Sequence, residues 1–323
     1  MRDRFSLTPA QYRRVAYIAL GALTLIVLTG AAVRLTDSGL GCPDWPRCYG
    51  KALPPLSTHA VIEYSNRAAS GIVGVIAVAA FLLSFFRRPF RRDLMWLSLT
   101  LPLGVVAQAV LGGFTVREHL APGFVMGHFA LSMIILIGAV ALAWRAKYEP
   151  GARPRSADRV GVWAVRALAP LGALTIFAGT AATAAGPHSG GASGDHVHRL
   201  TFKGNDTLMW VVHRHATIAA LFGVAVIGVW LLARRRELTR AIEPLTVLGV
   251  LMAAQGLVGS VQYELRLPSD IVSVHVGLAT ATWLALLWAV AAAGSLVPRR
   301  EPVPAVDQAI DTPKVRELEA VGP

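Results

Sequence analysis

The sequence predicts an all-α polytopic membrane protein: eight transmembrane helices arranged as two tandem-duplicated four-helix bundles. Three observations carry that prediction. Of 323 residues, 54% are hydrophobic and only 15% charged, and the mean hydropathy is +0.53, too apolar for a soluble chain of this length. Eight apolar runs reach the roughly 20 residues needed to cross about 30 Å of hydrocarbon. The third observation is an internal repeat. His213-Arg214 and His275 echo Asn66-Arg67 and His128 at one shared offset (213 − 66 = 147, 275 − 128 = 147), and Ala107-Gln108 with Gly112 returns as Ala254-Gln255 with Gly259. One offset kept over such distances reads as two copies of a four-helix unit joined head to tail. The halves are then 1–150 and 151–298, followed by a polar, proline-containing tail at 299–323 that reads as disordered and cytoplasmic.

In chain order, the first span covers about 13–34. It lacks a small-residue cleavage site followed by a soluble domain, so it reads as a retained helix rather than a signal peptide. Residues 35–59 form a loop rich in proline and glycine, and it holds the only two cysteines of the chain, Cys42 and Cys48. On the oxidising side of a membrane such a pair can close a tight ring that stiffens whatever the loop covers. Free thiols, a purely structural staple and a redox-active pair are all compatible with the spacing. Span two, about 60–86, carries Glu63 and Asn66-Arg67; His59, Glu63 and Asn66 fall on one helical face. Spans three and four, about 93–115 and 122–145, end the first half, with His128 early in the fourth. Spans five to eight cover about 161–183, 207–233, 241–263 and 270–296. Between spans five and six lies a glycine-rich loop with His188, His196 and His198, read as mobile and solvated. No strand-period alternation competes with these assignments.

The net charge of +12 suggests nucleic acid in a soluble chain, but its distribution points to topology. Arg2, Arg4, Arg13 and Arg14 precede span one, and Arg87, Arg88, Arg91 and Arg92 separate spans two and three. Arg145, Lys147, Arg153, Arg155 and Arg159 follow span four; Arg234, Arg235, Arg236 and Arg240 follow span six. The positive-inside rule then places both termini in the cytoplasm of a bacterial cell, with the protein multi-pass in the plasma membrane. Lipid is the expected surrounding partner, and nucleic acid is not.

A histidine within a bilayer span usually faces the bundle interior and needs a partner. His213 and His275 sit at equal depth on two helices, which suits axial ligation of one iron from both faces of a porphyrin. Four residues on from the matched positions come Ser70, Ser132, Thr217 and Ala279, all small enough for a flat macrocycle to approach. Arg67 and Arg214 stand near the water interface, placed for a haem propionate or for snorkelling to lipid phosphate. In the first half the position matching His213 is Asn66, a poor iron ligand. That site is expected to hold iron through His128 and leave the other side open, where oxidation chemistry becomes possible. Glu63 nearby is placed for proton transfer or for a structural ion pair with Arg67 or Arg34. His59, at the membrane edge, either replaces the missing ligand or is a solvated loop histidine.

The segment Gly39-Leu40-Gly41-Cys42-Pro43-Asp44-Trp45-Pro46-Arg47-Cys48, together with Glu63, Asn66-Arg67, His128, His213-Arg214 and His275, resembles the haem A synthases, membrane enzymes that convert haem O to haem A. The resemblance implies oxidation of the C8 methyl group of haem O to a formyl group for cytochrome oxidase. It implies that His213 and His275 ligate a resident haem b and that His128 faces the substrate haem O. Glu63 is then the functional carboxylate, and Cys42 with Cys48 an external disulfide. It further implies a haem O synthase and cytochrome oxidase assembly factors as partners. Asn66 departs from the family pattern, which has histidine before the arginine, and the second external loop lacks a cysteine pair. The rival readings are a membrane b-type cytochrome that only carries electrons and a non-enzymatic haem carrier.

Overall fold

The computed structural model describes residues 6–297. Eight helices dominate it: α1 (Pro9–Leu35), α2 (Thr58–Ser84), α3 (Arg92–Arg117), α4 (Pro122–Lys147), α5 (Arg159–Ala185), α6 (Thr207–Arg235), α7 (Thr239–Glu264) and α8 (Ser269–Ala292). Each matches one apolar run, and each is long and apolar enough to cross a membrane. Most extend past those runs by a few residues, whereas α2 and α8 end two and four residues short of theirs. Local chemistry fixes where two of them start. At α1, Thr8 accepts from the Gln11 amide (3.3 Å), the Gln11 side chain accepts from the Thr8 amide (2.8 Å), and Pro9 follows. Asp158 caps α5 by accepting from the Gly161 amide at 3.1 Å. The expected tail at 299–323, like Arg2 and Arg4, lies outside the described residues.

Within each half the helices pack round a closed ring, α1 through α4 and α5 through α8. The rings join where α1 and α4 meet α8 and where α4 meets α5. One continuous apolar core runs through both, and the Trp283 indole donates to the Met133 carbonyl across the join at 3.0 Å. At the end where α1 begins, several arginines that the sequence marked only as topology signals are structural. Arg87, 1% exposed, pairs with Glu149 and the Pro89 carbonyl. Arg91 donates to the Arg145 and Tyr148 carbonyls, each at 2.9 Å. Beside them a two-residue strand β1 (Arg155–Ser156) pairs in parallel with β2 (Ser295–Leu296), an addition to the all-α expectation that ties the inter-half connection to the end of α8.

The repeat has two registers. Between α3–α4 and α7–α8 the buried positions recur after 147 residues, as Leu94 and Ala241, Leu101 and Leu248, Leu136 and Trp283, Ala139 and Leu286. Between α1–α2 and α5–α6 they recur after 149 (222 − 73, 226 − 77). Ala16, Ala19 and Leu23 correspond to Val165, Leu168 and Gly172, and Val73, Ala77 and Ser84 to Phe222, Val226 and Ala233. The glycines confirm both shifts at once: Gly74 faces Val105, and Gly223 faces Met252. Burial, not the likeness of short motifs, fixes a helix's phase. Two residues turn a helix by about 200°, so the difference decides which side chains look inward.

Candidate functional site

In the first half His128 lies on α4 one and a half turns below its start, with its ring against α3 at Gly112. A Cβ there would sit 3.3 Å from the ring's Cε1, so glycine is what admits the imidazole. From the same face of α3, the Gln108 amide donates to the His128 carbonyl (2.9 Å) and to Ser132 Oγ (2.6 Å). His128 Nδ1 is buried and has no hydrogen-bond partner among the described residues. Asn66, on α2, accepts from Thr29 of α1 at 2.8 Å. No histidine of α2 stands opposite His128: His59 is exposed at the helix start and shares a 2.9 Å hydrogen bond with Ser38.

The loop between α1 and α2 closes this half from above. Cys42 and Cys48 form a disulfide, and the Trp45 ring lies on Gly113, next to the glycine that faces His128. Glu63, 5% exposed, holds the loop from below: one oxygen accepts from the Cys42 amide at 2.6 Å and the other pairs with Arg67 at 2.5 Å. Arg67 also donates to the carbonyls of Asp44 (2.8 Å), Arg47 (2.9 Å) and Cys42 (3.0 Å). Its donors are thus committed to the loop rather than left free for a propionate. Asp44 accepts from the Gly50 and Tyr49 amides at 2.7 and 2.6 Å, and these N–H groups, Gly50 foremost, hold its carboxyl below the usual carboxylate range. The loop between α5 and α6 is bonded to the one between α1 and α2: the Gly39 amide donates to the Gly190 carbonyl (2.7 Å), and Arg34 donates to the carbonyls of His188 (2.9 Å) and of Thr183 near the end of α5 (3.2 Å).

The second half repeats the α3–α4 arrangement. His275 lies against Gly259, where a Cβ would be 3.2 Å from Cε1. The Gln255 side-chain amide lies beside His275, one end 3.2 Å from its carbonyl and 3.0 Å from Nδ1, the other 2.9 Å from the Ala279 amide. On α6 two histidines flank Arg214. His213 is exposed and has the Tyr263 ring 6.5 Å away, while Arg214 lies over the outward Trp210 ring at 5.1 Å. His215 has its ring 6.3 Å from that of His275, the planes at 80°. Its Nδ1 is 3.1 Å from the Thr175 carbonyl of α5.

The two halves thus offer related but unequal chambers. Each holds one imidazole on its fourth helix, backed by glycine and steered by glutamine; only the second has another imidazole facing it from its second helix. The donor set suits a porphyrin iron: imidazoles, small residues beside them, and at His128 a buried ring nitrogen without a partner among the described residues. The sequence reading passed over His215. Its signal was the inward spacing of Val211, His215, Phe222 and Val226 along α6, hidden behind the more conspicuous His213-Arg214 dipeptide.

Comparison with known proteins gives the family. The profile of a family described as cytochrome oxidase assembly protein, COX15-CtaA, matches residues 13–191, more than half of the chain. A heme A synthase of Exiguobacterium is 32% identical over 120 residues, which is 36% of this chain and 40% of that protein. One from Bacillus licheniformis is 31% identical over 114 residues, 35% of this chain and 38% of that protein. A protoheme IX farnesyltransferase of Thermus thermophilus is 31% identical over 297 residues, 86% of this chain but only 48% of that protein. The chain therefore spans less than half the length of each of these relatives.

Proposed function

The chain belongs to the cytochrome oxidase assembly protein family that includes the heme A synthases, and from that premise we propose that it is itself a haem A synthase. In this reading it oxidises the C8 methyl group of haem O to a formyl group. The observation that carries the reading is the inequality of the chambers: His275 has a second imidazole 6.3 Å away on α6, whereas α2 carries Asn66, bonded to Thr29, at the corresponding place in the half that holds His128. A porphyrin gripped on both sides is a stable resident. One held on a single side is exposed to chemistry.

The substrate's iron binds His128, and Gln108 fixes the helix turn that presents the ring. Two successive two-electron oxidations, each adding one oxygen from water, releasing two protons and passing two electrons to an external oxidant, take the methyl group to the alcohol and then to the hydrated aldehyde, which loses water. Glu63 handles protons at the edge of this chamber; one oxygen accepts from the Cys42 amide and the other from Arg67, so a proton reaching it weakens the ion pair with Arg67. The disulfide loop, with Trp45, excludes water from above. In the second chamber, His275 and a histidine of α6 hold a haem b, which supplies one-electron transfer when bound. The topology proposed is multi-pass in the bacterial plasma membrane, with the arginine-rich end cytoplasmic and the cysteine loop outside. The Thermus relative's name supports one supplier: a farnesyl transfer to protohaem is the class of reaction that makes a farnesylated haem substrate. Cytochrome oxidase assembly factors are the proposed recipients.

Pigment extracted from membranes expressing the full chain together with a source of haem O tests the proposal. A formyl-bearing haem is expected, and it should disappear in His128→Ala. Unchanged haem O in the wild-type membranes would reject enzymatic conversion and leave a carrier or a b-type cytochrome.

A further inference from the structure

We propose that the second ligand of the resident haem iron is His215 rather than His213, the residue to which the His-Arg motif points. This inference rests on the reading of the second half as a haem b site. It concerns which side chain of α6 completes that site.

The helix phase is the first argument. His215 lies on the inward side of α6 with buried Val211, Phe222 and Val226, whereas His213 is exposed on the side of Trp210 and Arg214. The distances agree. Two imidazoles sharing one metal from opposite sides, with bonds of about 2 Å each, have centroids about 6 Å apart, and His215 and His275 stand at 6.3 Å with their planes at 80°. The aromatic ring recorded beside His213 is Tyr263, 6.5 Å away.

Outer-shell support is the second. Ligating histidines are oriented through their other ring nitrogen. The Thr175 carbonyl accepts from His215 Nδ1–H at 3.1 Å, which leaves Nε2 as the nitrogen free to bind a metal. Each ring also lies over a glycine, Gly179 beneath His215 and Gly259 beneath His275, where a Cβ would come within 3.1 and 3.2 Å.

The repeat supplies an independent third argument. In the 149-residue register of α1–α2 against α5–α6, Asn66 corresponds to His215 (215 − 66). The neighbours correspond as well: Asn66 is bonded to Thr29, one residue before Gly30, and Gly179, against which His215 packs, is Gly30 shifted by the same 149. One location in the duplicated bundle therefore carries asparagine in the first copy and the facing imidazole in the second.

The test uses the full chain purified from membranes with its haem, read by absorption and electron paramagnetic resonance for the low-spin bis-imidazole signature. His213→Ala should keep that signature. His215→Ala should lose it by more than about tenfold, and added imidazole should restore it. Loss of the signature in His213→Ala, or its persistence in His215→Ala, overturns the assignment. Should His215→Ala fail to accumulate, His213→Ala alone decides, since a retained signature requires another ligand. Wild-type protein with no low-spin haem would instead overturn the underlying reading of the second half.

Discussion

Arg67 illustrates how one side chain can be claimed by two explanations. Sequence spacing offers it to a propionate; the structure gives its guanidinium to Glu63 and three loop carbonyls. Removing it strands a buried carboxylate, a change that costs about 3 kcal/mol or more. Arg67→Ala is therefore expected to lower the thermal midpoint and expose the loop to protease, whereas Glu63→Gln, which keeps an acceptor for the Cys42 amide, should loosen it less. Equal protease sensitivity in the two variants would contradict this account. If Glu63 also handles protons, Glu63→Gln should lose formyl-haem production while keeping an ordered loop. Asp44 sets the acid limit of that loop. Its folded pKa lies below the unfolded value of about 3.9, so its contribution is complete above that value and is lost as pH falls through the lower folded value. Proteolysis of the loop should be flat with pH above about 5 and rise below about 4; in Asp44→Ala it should be raised already at neutral pH, with the acid step gone. At this scale the sequence singled out His128, His275 and Glu63 as residue types out of place in a membrane span, and the two cysteines as a pair in the loop before α2. It hid His215, because a dipeptide match says nothing about which way a helix is turned.

At the level of helices, α3–α4 and α7–α8 were readable almost completely. Their 147-residue repeat in sequence is also their repeat in space, so Gly112 with His128 and Gly259 with His275 are one packing solution used twice. Gly112→Val should push the His128 ring away and abolish conversion of haem O while sparing the low-spin signature of the second half; Gly259→Val should do the reverse to the spectrum. The first helix pair of each copy was less readable. A shared His/Asn-Arg motif suggested 147 residues, whereas the buried faces of α1–α2 and α5–α6 repeat after 149, a conflict visible only once neighbouring helices show which face they cover. The cysteine loop is an element in its own right. Opening its ring should cost about 2 kcal/mol by chain entropy, so Cys42→Ser is expected to raise protease sensitivity of residues 42–48 without unfolding the bundle. A redox role predicts in addition loss of formyl-haem production under conditions where the loop stays folded.

For the whole molecule, length and hydropathy sufficed for eight spans, because crossing hydrocarbon demands long apolar helices. They did not foretell the join, where Trp283 reaches Met133 and one core serves both rings. Nor did they show that arginines such as Arg87 and Arg91 brace the connection between the halves as well as marking its side of the membrane. Single cysteines introduced at exposed Lys51 and Arg235 in a Cys42→Ser/Cys48→Ser background should be labelled by impermeant reagent only at position 51 in intact cells; labelling at 235 would invert the proposed topology. The hydrogen bonds from Gly39 and Arg34 to Gly190, His188 and Thr183 fasten the covers of the two chambers into a single canopy. Lifting either loop means breaking its bonds to the other, so the two are expected to loosen together under protease.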